Sequence, residues 1–166
     1  MTQPAQPTQY WLTQKTHRRL ADELDDLRGR GRQEVIERIS AARDEGDLKE
    51  NGGYHAAKDE QGKIEARILQ LEEMLRNATT EKSDDDGIVS PGKVVSYRYA
   101  GDDEDETFLL GAREVDDDHE DIEVFSPQSP LGSAMLGATK GSTIDFEAPN
   151  GKSLKIEVVD AVPFSE

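Results

Sequence analysis

Residues 44–57 read Asp44-Glu45-Gly46-Asp47-Leu48-Lys49-Glu50-Asn51-Gly52-Gly53-Tyr54-His55-Ala56-Ala57. This polar, glycine-bearing stretch interrupts two apolar seams of helical period. Upstream, Leu20, Leu24, Leu27, Gly31, Val35, Ile39 and Ala42 recur at spacings of three and four, and Thr13 supplies an N-cap. Downstream, Tyr54, Ala57, Ile64, Ile68, Leu71, Leu75 and Ala78 form the matching seam. Charged residues fill the positions between, so each helix has one narrow stripe to bury. The break around 46–51 is too short for anything but an antiparallel return. The pattern therefore predicts a hairpin reaching ~40 Å from Leu20 to its tip, at ~1.5 Å per residue. Gly29 and Gly31 fall inside the first helix, where each costs roughly 1 kcal/mol against alanine, and predict a kink or a weak turn.

Beyond Ala78 the period changes. Residues 79–90 read as a linker, and Pro91-Gly92 opens short stretches rich in Val, Ile, Phe, Tyr and Thr at 93–99, 106–110, 122–125, 142–146 and 153–159. Pro149-Asn150-Gly151 is a hairpin turn, and Ser129-Pro130-Leu131 starts a short helix through Leu136. The expected class is α+β, a helical hairpin followed by a small twisted sheet with one short helix.

The 166 residues carry a net charge of −16, which excludes whole-surface attraction to nucleic acid or an anionic membrane as the main binding force. The charge is uneven: residues 1–78 hold 13 Lys/Arg against 15 Asp/Glu, while 79–166 hold 7 against 21, so the halves face different partners. The absence of cysteine excludes disulfides, thiol catalysis and Cys-based zinc sites. His17, His55 and His119 are too scattered to form an evident ligand cluster. The polar start, and the lack of any apolar run near the ~20 residues a bilayer requires, predict a soluble cytoplasmic protein.

Asp44, Glu45, Asp47 and Glu50 crowd the end of the hairpin. Two readings stand together. Asp47-Leu48-Lys49-Glu50 has the form of a capping box, with Asp47 as N-cap and Glu50 reaching back. The same carboxylates could hold a hard divalent cation. The acid runs 84–86, 102–106 and 116–118 read as solvated linker and loops without a catalytic role.

Gly46-Asp47-Leu48-Lys49-Glu50-Asn51, followed by Tyr54-His55-Ala56-Ala57 and Gln61-Gly62, resembles the tip of the GreA/GreB transcript cleavage factors. Leu12-Thr13, Leu20-Ala21-Asp22-Glu23-Leu24, the run from Ser126 through Gly132 and Pro149-Asn150-Gly151 extend the resemblance over residues 11–163. Gly52-Gly53 and the missing cysteines point to GreA of actinobacterial type. The resemblance implies a disordered tail at 1–10, an antiparallel coiled-coil hairpin at 11–78 with an acidic tip at 44–51, a linker at 79–90 and an FKBP-like polymerase-docking domain at 91–166.

The partners it implies are RNA polymerase, entered through its secondary channel, and the 3′ end of backtracked nascent RNA, with no membrane and a monomeric factor. Asp47 and Glu50 would be the catalytic pair. Asp47 would help retain a second Mg²⁺ within the polymerase active site, with none bound stably by the isolated protein, and Glu50 would position or deprotonate the attacking water. The factor would thus be no enzyme itself. Asn51 and Tyr54 would support the tip, against the plainer roles of cap and seam residue. Gln128, Ser129, Pro130 and Leu131 match the docking loop, with Gln128 where the family can carry an acid. Arg28, Arg30, Arg32 and Arg38 fall where the family shows an RNA-facing basic surface, or else form a solvated face. The alternatives are a channel-binding regulator that inhibits without promoting cleavage, an autonomous metal-dependent nuclease, and a structural coiled-coil adaptor.

Overall fold

The computed structural model describes residues 9–166. Positions 1–8 of the tail expected at 1–10 lie outside the described residues, whereas Tyr10 is in a strand. The described residues divide into two compact units, His17–Asn77 and a second formed by residues 9–16 with Ala78–Glu166.

In the helical unit, α1 (Gln14–Asp26), which starts just before the unit boundary, passes through a turn of π-helix (Leu27–Gly31) into α2 (Arg32–Asp44). Thr13 Oγ1 accepts the Thr16 N–H at 3.2 Å, as expected of the cap. The glycine pair sits in the π turn, where the Arg32 N–H reaches the Leu27 carbonyl, five residues back. The helix absorbs its weak spot as one extra residue in the turn. After the tip, α3 (Gly52–Arg76) returns. Arg28–Glu72, Arg32–Glu65 and Arg38–Glu60 pair across the hairpin, and their opposed numbering records its antiparallel sense. Val35, Ile39 and Ala57 form a buried cluster with Tyr54 and Ile64 against it. Met74 takes the buried position where the seam pattern placed Leu75, which is only partly covered.

In the other unit, β1 (Tyr10–Trp11) pairs in parallel with β2 (Ala78–Thr79), so part of the expected linker is strand. The main sheet contains β3 (Lys93–Tyr99), β4 (Glu106–Leu110), β5 (Glu123–Phe125), β6 (Thr143–Glu147) and β7 (Ser153–Pro163), in the order β5-β4-β3-β7-β6. Only β4 and β5 run parallel. Opposite Ser96 and Tyr97, β7 carries Val159 as an extra residue, a bulge that lets the strand run on past 159. Val95, Tyr97, Phe108, Leu110, Ile156 and Val158 bury one face of the sheet, together with Leu131 and Met135 of α4 (Pro130–Met135).

The Trp11 indole lies between two glycines. A Cβ on Gly92 would stand 2.6 Å from the ring nitrogen, and one on Gly111 would stand 3.0 Å from the ring edge. The same nitrogen donates to the Glu81 carbonyl at 2.9 Å, and Phe164 meets the ring edge to face at 6.1 Å. Lys93 is fully buried, its ammonium donating to the Asp86 carboxylate and the Ile88 carbonyl. The acid runs are thus less idle than expected. Asp86 serves Lys93, Asp105 pairs with Arg98, Glu106 accepts the Tyr97 hydroxyl, and Asp118, on a 3₁₀ turn at Arg113–Asp118, accepts the Thr16 hydroxyl. Burial and the neighbouring Glu106 carboxylate push the Tyr97 phenol far above its ordinary value, which keeps it a neutral donor.

Candidate functional site

The tip is built by the two helix ends. At the close of α2, the Glu45 N–H bonds the Ala42 carbonyl, and Gly46 turns the chain away at φ +121°, a conformation open to glycine and costly for residues with a Cβ. The next helix starts later than the capping-box reading required. Its N-cap is Asn51, whose Oδ1 accepts the Tyr54 N–H at 3.0 Å while its Nδ2 donates to the Ala42 carbonyl at 2.6 Å. Asp47 and Glu50 are therefore not cap and N3 residue. Asp47 Oδ1 instead accepts the Lys49 N–H at 3.0 Å in a local turn, and the Glu50 side chain is exposed with no partner among the described residues.

Tyr54 packs its ring toward Val35, Ile39 and Ala57, carries the Arg43 guanidinium 5.9 Å from its centroid and meets His55 edge to face at 5.5 Å. Its seam role is realised, on the same element that carries the tip. Asp44, Glu45, Asp47 and Glu50 are all exposed. Among the described residues, no three His, Cys, Asp or Glu side chains converge to hold a metal ion. The tip offers exposed carboxylates rather than a cage.

At the other candidate site, Ser129 N-caps α4, accepting the Gly132 N–H at 3.1 Å and donating to the Ser126 carbonyl at 2.7 Å. Gln128 and Pro130 are exposed, but Leu131 is 8% exposed and belongs to the sheet's buried cluster. Its apolar side chain therefore packs inward, while Gln128 and Pro130 are the exposed positions of this loop. No helix among the described residues is long and apolar enough to cross a membrane.

A family model described as "Transcription elongation factor, N-terminal" matches residues 10–79, and one described as "Transcription elongation factor, GreA/GreB, C-term" matches residues 84–162. Transcription elongation factor GreA of Saccharopolyspora erythraea is 50% identical over 93% of this chain and 95% of its own. The chain belongs to the GreA/GreB transcription elongation factor family. GreA of Streptomyces coelicolor is 48% identical over 93% of this chain and 94% of its own, and GreA of Mycobacteroides abscessus 46% over 94% and 96%. These actinobacterial relatives agree with the type read from the tip.

Within this GreA/GreB chain, the four arginines considered for RNA contact all have carboxylate partners. Arg28 meets Glu72, Arg32 meets Glu65, Arg38 meets Glu60, and Arg30 meets Asp26 and Glu34. Hydrogen bonds from Arg32 and Arg38 hold Glu65 and Glu60 below the usual carboxylate range. The geometry is that of a cross-braced hairpin. Among the described residues, Asp47 and Glu50 have no such cation paired with them, and both are exposed. Sequence reasoning missed His55, whose Nε2 lies 3.3 Å from the Lys49 carbonyl. Its place beside Tyr54 at the head of the second seam was visible, but the later start of α3 and the loop folding back toward it were not.

Proposed function

We propose that this GreA/GreB-family protein docks on RNA polymerase, inserts the hairpin through the secondary channel and stimulates the polymerase's hydrolysis of backtracked nascent RNA. It acts in the cytoplasm, where that complex works. The observation that supports this reading is the release of Asp47 and Glu50 from helix capping: Asn51 caps α3, so two exposed carboxylates have no structural duty that uses up their charge.

All-oxygen, anionic donors suit Mg²⁺, which keeps most of its waters and takes one or two carboxylates from a protein. Asp47 and Glu50 would hold such an ion jointly with the polymerase, where its chemistry is to acidify bound water and stabilise charge on phosphoryl oxygens. Asp47 has one oxygen tied to the Lys49 N–H and presents the other. Glu50 orients the attacking water and accepts its proton. The hairpin holds both groups, and the polymerase supplies the remaining ligands and the RNA. The chain acts as a monomer that donates carboxylates, and no specific observation favours a purely inhibitory regulator.

The test is RNA cleavage in stalled, backtracked complexes of the cognate polymerase, with wild type, Asp47→Asn and Glu50→Gln compared at matched occupancy. Stimulation by wild type and its loss in both bound variants is the expected result. A bound wild-type protein that leaves the cleavage rate unchanged overturns the proposal.

A further inference from the structure

We propose that His55 is a positioning residue for this chemistry, holding Glu50 in place through the Lys49 carbonyl; the inference rests on the role given above to Asp47 and Glu50. Lys49 lies between the two carboxylates, and both of its backbone polar groups are bound. Its N–H goes to Asp47 Oδ1 at 3.0 Å, and its carbonyl to His55 Nε2 at 3.3 Å. A carbonyl only accepts, so the imidazole carries its hydrogen on Nε2 and donates. That carbonyl belongs to the planar peptide whose nitrogen is Glu50's own. Fixing the oxygen fixes the direction in which the Glu50 backbone leaves.

The imidazole is itself seated. Its ring meets Tyr54 edge to face at 5.5 Å and 69°, and Tyr54 rests against the buried Val35, Ile39 and Ala57 and under the Arg43 guanidinium. A continuous path of contacts thus runs from the hairpin's interior through Tyr54 and His55 to the Lys49–Glu50 peptide. The loop needs such an anchor, because residues 47–50 lie beyond the end of α2 and before the start of α3. A displacement of about 1 Å in a reacting group can cost orders of magnitude in rate.

The test uses the full chain with backtracked complexes of the cognate polymerase, reading cleavage rate against factor concentration for wild type, His55→Leu and His55→Gln. His55→Leu removes the donor at similar bulk and should lower the saturated rate roughly tenfold while leaving the half-saturating concentration unchanged. His55→Gln returns a side-chain N–H and should recover most of the rate. In the free protein, amide nitrogen relaxation at Lys49 and Glu50 should show increased mobility in the leucine variant and recovery in the glutamine variant. An active wild type matched by His55→Leu at saturation overturns the proposal, as does an equal loss in both variants with unchanged loop mobility, or a shift in half-saturation alone. An inactive wild type is a different result, and it overturns the cleavage reading beneath this one as well.

Discussion

The Asn51 amide nitrogen lies 2.6 Å from the Ala42 carbonyl oxygen, so one side chain joins the last turn of α2 to the first turn of α3. Helix ends leave carbonyls at one terminus and N–H groups at the other without partners. Asn51 serves one of each, because its side-chain amide carries both a donor and an acceptor. Asn51→Ala should therefore cost about 2 kcal/mol of hairpin stability, the sum of a lost cap and a lost hydrogen bond. Asn51→Asp keeps the acceptor for Tyr54 but loses the donor, and should fall between the two. Urea unfolding followed by helical ellipticity gives the order.

Lys93 makes the sheet unit sensitive to acid. The hydrogen bond from its ammonium holds the Asp86 carboxyl below the usual range, assisted by the Ile88 N–H. Because the folded value is depressed, the stabilisation is complete at neutral pH and is lost as pH falls below the ordinary carboxylate value, about pH 4, toward the depressed one. Lys93→Met removes the ammonium, and its urea midpoint should fall less steeply below that pH than the wild type's. A variant with an unchanged acid slope would refute the assignment.

The Arg32–Glu65 pair tests what the hairpin's basic residues are for. Arg32→Glu sets two carboxylates together and should lower the melting temperature, and adding Glu65→Arg should restore most of it by rebuilding the pair in reverse. If bracing is the role of Arg32, the double variant should also stimulate cleavage as the wild type does. Added salt should shrink the difference between single and double variants, since both groups are well exposed.

Gly132 has no room for a side chain. A Cβ there would stand 2.2 Å from the Ser126 carbonyl oxygen and 2.8 Å from Ser129 Oγ, the two groups that start α4. Gly132→Ala should cost about 3 kcal/mol through forced displacement of that turn, seen as a lowered thermal midpoint. Gly29, inside the π turn, has nothing within 4 Å of its would-be Cβ. Gly29→Ala should stabilise by about 0.5–1 kcal/mol.

What the sequence made legible was periodic or chemically local. Leucine and isoleucine spacing carried the hairpin, short stretches rich in Val, Ile, Phe, Tyr and Thr carried the five-stranded sheet, and Thr13 and Ser129-Pro130 carried their caps without help from distant residues. The strands at Tyr10–Trp11 and Ala78–Thr79 have two residues each, too few to show a period. Asp47 and Asn51 have the same capping chemistry, and the choice between them is made by the Ala42 carbonyl, nine residues away across the turn. Lys93 looked like an ordinary charged residue at the start of a strand because its partner, Asp86, was one of three consecutive aspartates. The Leu131 side chain was matched to a docking loop by its neighbours in sequence, while the fold spends it on the interior.

Trp11 is the single tryptophan of the chain, and its slot between Gly92 and Gly111 gives the protein a built-in optical probe. The indole is 7% exposed and lies in the sheet unit, so its emission should shift to the red when that unit opens. The helical unit contributes no indole, and its melting is read instead in far-ultraviolet ellipticity. Followed together through one denaturation, the two signals coincide if the units unfold as a single cooperative block and separate if they do not.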